Sequence, residues 1–248
     1  MPIHSTGPAL AASPAVTSAA EAVQLDVVFD AARLAAELDA VTEHTWNRQR
    51  THIQGGQVGL ATAIDWRVLP LRSLAGDPHR TDPGGPGPEP FADTRWLARL
   101  PYFAELLAAF PAPLNAARLM ALGPGAASTP HRDPKYRLDR GMVRLHIPIV
   151  TCPEAVLILD GVEHRWSPGT LWYGDFSREH LVSNTSSTTT RVHLVIDALL
   201  TSELAAWFPG TWQDLLTRGE VLVNRSAGCS REKQERLCVG LSDAWGSA

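Results

Sequence analysis

The sequence predicts a mainly β protein with flanking helices, a β-sandwich or barrel with a jelly roll among the leading candidates, followed by a C-terminal helical region. Three observations carry that expectation. Between about residues 115 and 199, short apolar runs recur with turn dipeptides between them, the pattern of an antiparallel sandwich or barrel. Two of those runs alternate: Val143, Leu145, Ile147 and Ile149 against Arg144, His146, Pro148 and Val150, and Arg191, His193 and Val195 against Val192, Leu194 and Ile196. On either side of this stretch, helix-like patterns take over.

In chain order, residues 1–24 are rich in Ala, Ser, Thr and Pro and lack a basic segment before an apolar core. They predict a disordered leader, not a signal peptide. Residues 31–41 (AARLAAELDAV) predict a short amphipathic helix, and Ile64–Leu71, with its proline at 70, an edge strand. Residues 76–90 (GDPHRTDPGGPGPEP) exclude a helix or a central strand; they form a surface loop, read either as a lid or as plain disorder. Asp93 is placed as the N-cap of a helix running through Phe110, stopped by Pro111 and Pro113. Asp160-Gly161 closes the strand Ala155–Leu159 as a hairpin turn. Pro168-Gly169 introduces the strand Leu171–Tyr173. Beyond residue 200, TSELAAWF, TWQDLLTRG and REKQERLCVGL read as helices, forming either a small helical subdomain or a cover packed on the barrel. The expected organisation is a leader over 1–24, a jelly-roll domain with N-terminal helices over 25–199, and a helical extension over 200–248.

A 44% hydrophobic and 19% charged composition is that of an ordinary globular chain of 248 residues. A net charge of −4, with no basic stripe, argues against a nucleic-acid partner, and no apolar run reaches the length of a membrane span. Cys152, Cys229 and Cys238 have neither an even count nor CxxC spacing, which fits a reducing cytoplasm better than a disulfide or zinc scaffold. A homodimer is left open.

Of nine histidines, only His131 has an acidic residue two positions on, Asp133. In extended backbone, residues i and i+2 face the same side, so both can reach one ion. A third ligand has to come from elsewhere, and His180, just past the strand Leu171–Tyr173, is the candidate. Two imidazoles and one carboxylate on one face leave three octahedral positions open, the arrangement suited to iron(II) and O2. A lone H-x-D is a weak motif, and a surface His beside a turn Asp is its bland alternative. Arg191, in a strongly β stretch, suits the far carboxylate of a dicarboxylic cosubstrate, against the alternatives of a surface arginine or an ion pair with Asp197. His193 shares its face and could support the same carboxylate. Arg144 and His146 share another strand face; Arg144 is the candidate for a substrate carboxylate, and His146 for the cosubstrate or, equally, a core role. Trp172 is a candidate pocket wall, with core packing as its competitor.

The ordered set FADTRWL, LMALGPGAASTPHRD, VRLHIPIVT, GTLWYGDFSREHLVSN and RVHLVID, from about Phe91 to Ala198, resembles the aspartyl/asparaginyl β-hydroxylase-like family of Fe(II)/2-oxoglutarate dioxygenases. The resemblance implies a double-stranded β-helix. It also implies His131 and His180 as iron ligands, Arg191 as the anchor of 2-oxoglutarate, and Arg144 and His146 as pocket lining. The animal peptide hydroxylases of that family lack the carboxylate ligand, whereas this chain has Asp133. It is therefore more similar to the bacterial members that hydroxylate free amino acids, notably proline hydroxylases. The implied activity is O2- and 2-oxoglutarate-dependent hydroxylation of a small amino-acid-like substrate, releasing succinate and CO2. A peptidyl or carrier-bound residue as substrate, a cupin-like isomerase or lyase that uses no oxygen, and a catalytically silent binding module are the competing readings.

Overall fold

The computed structural model describes residues 21–42, 46–52, 58–60, 64–82 and 89–217. Most of the expected leader and the REKQERLCVGL segment lie outside these residues. The chain runs β1 (Ala22–Val28), α1 (Ala31–Thr42), β2 (Asn47–Arg48), β3 (Arg50–His52), β4 (Val58–Leu60), β5 (Trp66–Leu74) and β6 (Phe91–Asp93), then α2 (Pro101–Ala108) and β7 (Leu114–Leu122). It continues with β8 (Met142–Val150), β9 (Ala155–Leu159), β10 (Val162–His164), β11 (Thr170–Gly174), β12 (His180–Asn184) and β13 (Arg191–Leu199), and ends in α3 (Ser202–Ala205) and α4 (Gly210–Thr217).

The strands form two facing sheets. The larger is ordered β1-β11-β8-β13-β7-β5-β2, with β6 also on β5, and every pairing in it is antiparallel. The smaller is β10-β9-β12, and bridges Ala127↔Ser183 and His131↔His180 lay the segment after β7 along its open edge. The four strands β11-β8-β13-β7 facing this small sheet are the double-stranded β-helix expected from the sequence. β3 and β4 pair only with each other.

Side-chain alternation then divides the interior in two. On the outer face of the large sheet, Val143, Leu145, Ile147, Val192, Leu194 and Ile196 pack with Leu34 and Leu38 of α1 and Phe103 and Leu106 of α2. Leu204, Phe208, Trp212 and Leu216 of the C-terminal helices join the same cluster, so the described part of that region is part of the main core. On the inner face, Trp66, Val68, Met120, Leu122 and Val195 meet Leu157, Leu159 and Val182 of the small sheet in a smaller apolar cluster. The inner face of β7, β8 and β13 also carries buried polar side chains: Arg118, Arg144, His146, Arg191, His193 and Asp197. A buried polar layer in a sandwich is costly unless it is paired or meets a ligand.

The helices are fixed by local chemistry. Asp30 caps α1 by accepting the Arg33 N–H at 3.0 Å. Glu37 of α1 accepts the N–H groups of Tyr102 and Phe103, placing an anion at the start of α2.

Two expectations are corrected. The proposed helix from Asp93 to Phe110 is instead a strand end, a short 3-10 turn (Leu97–Arg99) and then α2. Pro101 has no N–H to continue the turn and suits only a first helical position, and Leu100 before it is pushed out of the helical region (ψ 75°). Asp93 pairs with Arg72 at 2.7 Å. The strand around Ile64–Leu71 is also not an edge: β5 lies between β7 and the short β2 and β6. Pro70 is tolerated there because β2 pairs with residues 67–68 and β6 with 72–74, while the β7 ladder shifts register between Pro70 and Arg72.

The hairpin at Asp160-Gly161 forms as expected, with both residues at positive φ (51° and 81°) as a type I′ turn demands. Only the flanks of the 76–90 loop are described; in the first flank Thr81 is buried and its carbonyl accepts from Arg118 at 3.1 Å. Among the described residues, no helix is long and apolar enough to cross a membrane.

Candidate active site

His131 and His180 are brought together by the small sheet. Each donates its backbone N–H to the other's carbonyl, at 3.0 and 2.9 Å. Such a mutual pair in an antiparallel ladder puts both side chains on one face, and the ring centroids are 4.2 Å apart. The approach to His131 depends on the turn at Gly123-Pro124-Gly125. Gly125 has φ +69°, and a side chain on Gly123 would strike the Asp65 carboxylate at 2.0 Å. Asn184, fully buried, ties this turn to the end of β12 by donating to the carbonyls of Leu122, Gly123 and Thr189. Two residues on from His131, Asp133 is anchored by its N–H to the Phe176 carbonyl at 2.8 Å.

Ligand atoms of His131, Asp133 and His180 lie within 4.8 Å of one another, so the spacing in sequence becomes a triad in space. Both imidazoles are oriented alike: Nδ1 of His131 donates to the Thr129 carbonyl at 2.9 Å and Nδ1 of His180 to that of Arg178 at 3.0 Å. With the proton on Nδ1, each Nε2 presents a lone pair toward the centre, the tautomer a metal requires. Burial pushes His180 down to about 4, so it stays neutral and able to ligate. Burial alone would raise Asp133, but the Arg144 guanidinium outweighs it and holds the carboxylate below its usual range.

The second part of the site lies on β8 and β13. Arg191 is 4% exposed, and its Nη2 donates to Nδ1 of His193 at 2.8 Å. No carboxylate among the described residues meets it; Asp197, six residues along β13, pairs instead with Arg118 and Arg144. Burial lowers Arg191 to about 9, which expresses the lack of a counter-anion around a group that keeps its proton. His146 and His193 are both held well below the normal imidazole range, first by burial and then by Arg191. Nδ1 of His146 lies 3.4 Å from that of His193, and its buried Nε2 has no partner in the structure.

Aromatic contacts join the two parts into one wall. Phe176 sits edge-on to His180 at 4.9 Å and stacks on His146 at 4.9 Å, and His146 is 5.7 Å from His193. Trp172 stacks on Trp166 at 5.1 Å, and Trp166 in turn faces His193 at 6.3 Å. Arg144 is placed beside the triad, but each of its three nitrogens already meets a carboxylate oxygen of Asp197 or Asp133. His164, left unassigned from sequence, pairs with Glu21 at 3.3 Å.

Several of these residues went unassigned in the sequence. Asp197 and Arg118 could have been found by parity, since Asp197 alternates with Arg191 and His193 and so shares their face. Phe176, Trp166 and Asn184 carry no comparable signal. Their roles come from contacts across the sandwich.

The residues present fit a divalent metal and a dicarboxylate: a neutral-imidazole and carboxylate triad, a buried guanidinium without an acid, and an orphaned imidazole nitrogen on the wall between them. No curated protein matches the chain. Among solved structures, a 2OG-Fe(II) oxygenase family oxidoreductase from Burkholderia pseudomallei is similar over 72% of this chain and 85% of that one, at 15% identity and a TM-score of 0.48. A predicted oxalate decarboxylase from Thermotoga maritima covers 35% of this chain and 68% of its own, at 21% identity and TM-score 0.27. A cupin domain from Bordetella pertussis covers 34% and 79%, at 22% identity and TM-score 0.27. At such scores none of the three bears on activity. The sequence profile described as Aspartyl/Asparaginyl beta-hydroxylase matches residues 29–200, which includes the described strands from β2 to β13 and every residue of the site. With its triad and its buried polar wall inside that span, this chain belongs to the aspartyl/asparaginyl β-hydroxylase family of dioxygenases.

Proposed function

We propose that the enzyme is an Fe(II)- and 2-oxoglutarate-dependent dioxygenase that hydroxylates an unactivated C–H bond of a small amino-acid-type substrate. The observation that carries the cosubstrate assignment is Arg191, a buried guanidinium that meets no acid among the described residues, on the same wall as the triad. A buried cation of this kind is stable only when an anion completes it. His131, Asp133 and His180 would hold the iron. Arg191, steadied by His193, would take the far carboxylate of 2-oxoglutarate as a forked pair, and the free Nε2 of His146 gives the wall a further polar contact. When bound, iron(II) with 2-oxoglutarate and O2 supplies the oxidation, giving succinate, CO2 and a hydroxylated product.

The chain's own part is placement and exclusion. Phe176, Trp166 and Trp172 form an apolar wall that keeps water from the cosubstrate, and neutral His146 and His193 add no charge to compete with Arg191. Asp133 supports a free amino acid as substrate, because the resembling peptide hydroxylases lack that carboxylate. The specific feature on the side of a larger, carrier-bound or peptidyl substrate is an open cleft of about 690 Å³. Arg48, Asp77, His79 and Arg80 line it together with Thr81, which is bonded to Arg118.

The test is anaerobic addition of iron(II) and 2-oxoglutarate, followed in the visible region for the chelate's weak charge-transfer band. It should form in the wild type, vanish in His131→Ala, and need far more 2-oxoglutarate in Arg191→Met. No band, together with no succinate in air from a panel of free amino acids, removes the reading. A normal band in Arg191→Met removes only the cosubstrate anchor.

A further inference from the structure

We infer that Arg144, locked by Asp197, is a positioning residue for the metal's carboxylate ligand, holding one oxygen of Asp133 and leaving the other for the ion. The inference rests on the metal reading above but concerns residues that reading leaves without a part. Asp197 is 1% exposed, deep on the inner face of β13. It accepts from Arg144 Nε at 2.7 Å and Nη2 at 3.1 Å, from Arg118 Nη2 at 3.1 Å and from the Tyr136 hydroxyl at 3.0 Å. The Arg144 guanidinium also lies 3.7 Å over the Tyr136 ring. A fork held on one side by both carboxylate oxygens, and on one face by an aromatic ring, has no freedom to turn. Its remaining nitrogen, Nη1, is thereby aimed at Asp133, whose Oδ2 it meets.

Charge balance gives the second argument. Two buried guanidiniums, Arg118 and Arg144, face one buried carboxylate, Asp197, so the cluster needs another anion. Asp133 supplies it. Its carboxylate is thus fixed by backbone at Phe176 and by side chain at Arg144 before any ion arrives. An outer partner of this kind sets the direction and basicity of a ligand and typically carries a ten- to hundredfold share of metal affinity, an order-of-magnitude figure. The same geometry assigns Arg144 to the metal in place of the substrate carboxylate expected from sequence.

The experiment measures Mn(II) binding to the full chain by electron paramagnetic resonance, with circular dichroism to verify folding. Arg144→Met should weaken Mn(II) about tenfold to a hundredfold, and Arg144→Lys should also weaken it, because a single ammonium on a flexible stem cannot reproduce the rigid fork that spans Asp197 and Asp133. In an Asp133→Gly background, the Arg144→Met change should cost no further affinity, since the ligand it positions is gone; a merely structural role would cost the same in both backgrounds. Asp197→Asn, which keeps the shape and removes the charge, should repeat the Arg144 phenotype if Arg144→Met does not fold. Unchanged Mn(II) affinity in the folded Arg144 variants, with a raised amino-acid KM, overturns the proposal in favour of a substrate clamp. Equal losses in both backgrounds overturn it in favour of a scaffold ion pair. A wild-type chain that binds no Mn(II) would end the metal reading itself, a result distinguishable from either.

Discussion

At the scale of single residues, the site is a set of groups whose ionisation is set by burial. His146 and His193 are neutral when folded, because burial and then Arg191 disfavour their charged forms. In the unfolded chain each takes up a proton near about pH 6.5. Their folded values lie below the unfolded one, so the stability they allow is fully present above about pH 6.5 and is lost as pH falls beneath it, by up to about 1.4 kcal/mol per pH unit for each. Urea unfolding of the metal-free chain should therefore show a lower midpoint at about pH 5.5 than at about pH 7.5, with a smaller drop in His146→Gln. An unchanged midpoint would mean that these imidazoles are not held neutral. Arg191 belongs to the same scale. Its lowered value needs no acid nearby, only the removal of water, and it marks where an anion is missing.

At the scale of elements, two turns decide whether the ligands meet. Gly123-Pro124-Gly125 brings the segment after β7 back along β12, and Pro168-Gly169 feeds β11 beside β8 and β1. Gly169 has φ +78°, its N–H reaches the Pro148 carbonyl, and a Cβ there would lie 2.4 Å from the Phe29 carbonyl oxygen. Gly169→Ala combines a disfavoured φ with a backbone clash and should cost about 1–3 kcal/mol, read as a lowered Tm. An unchanged Tm would show that the Phe29 segment yields. The proline elements teach the complementary lesson. Asp160-Gly161 was legible because its conformational demand is local. Pro70 reads locally as an edge marker, and the helix start reads as Asp93, ahead of Pro101, because what a proline does depends on which neighbour would have used its missing N–H. For Pro70 that is a register shift, and for Pro101 a helix start.

At the scale of the whole molecule, the C-terminal helices, open in sequence between a separate subdomain and a cover on the barrel, are part of the core over their described residues. Phe208 and Trp212 pack on Tyr173 at 5.5 and 5.8 Å, and the Asp26 N–H bonds the Trp207 carbonyl at 3.1 Å, tying β1 to this end. Trp212→Ala should cost about 3–5 kcal/mol in chemical unfolding. A chain cut after residue 200 should fail to give a cooperative transition; a truncated chain that unfolds cooperatively would return these helices to the status of an appendage. The large sheet thus has two faces with different duties. One is closed by helices, and the other keeps a layer of buried polar side chains.

The sequence by itself determined the strand pattern of the jelly roll, the hairpin at Asp160, the pairing of His131 with Asp133 and the suspicion that Arg191 faces inward. Each follows from a local period or a local conformational rule. Tertiary structure alone decided that His180 bonds His131 across a ladder, that Asp197 serves Arg118 and Arg144 and not Arg191, and that Arg144 turns toward Asp133. Those are contacts between residues 11 to 79 positions apart. Alternation specifies which face a side chain takes, but not which of several charged groups on that face becomes its partner; that is settled by the register and facing of sheets, which no local pattern contains.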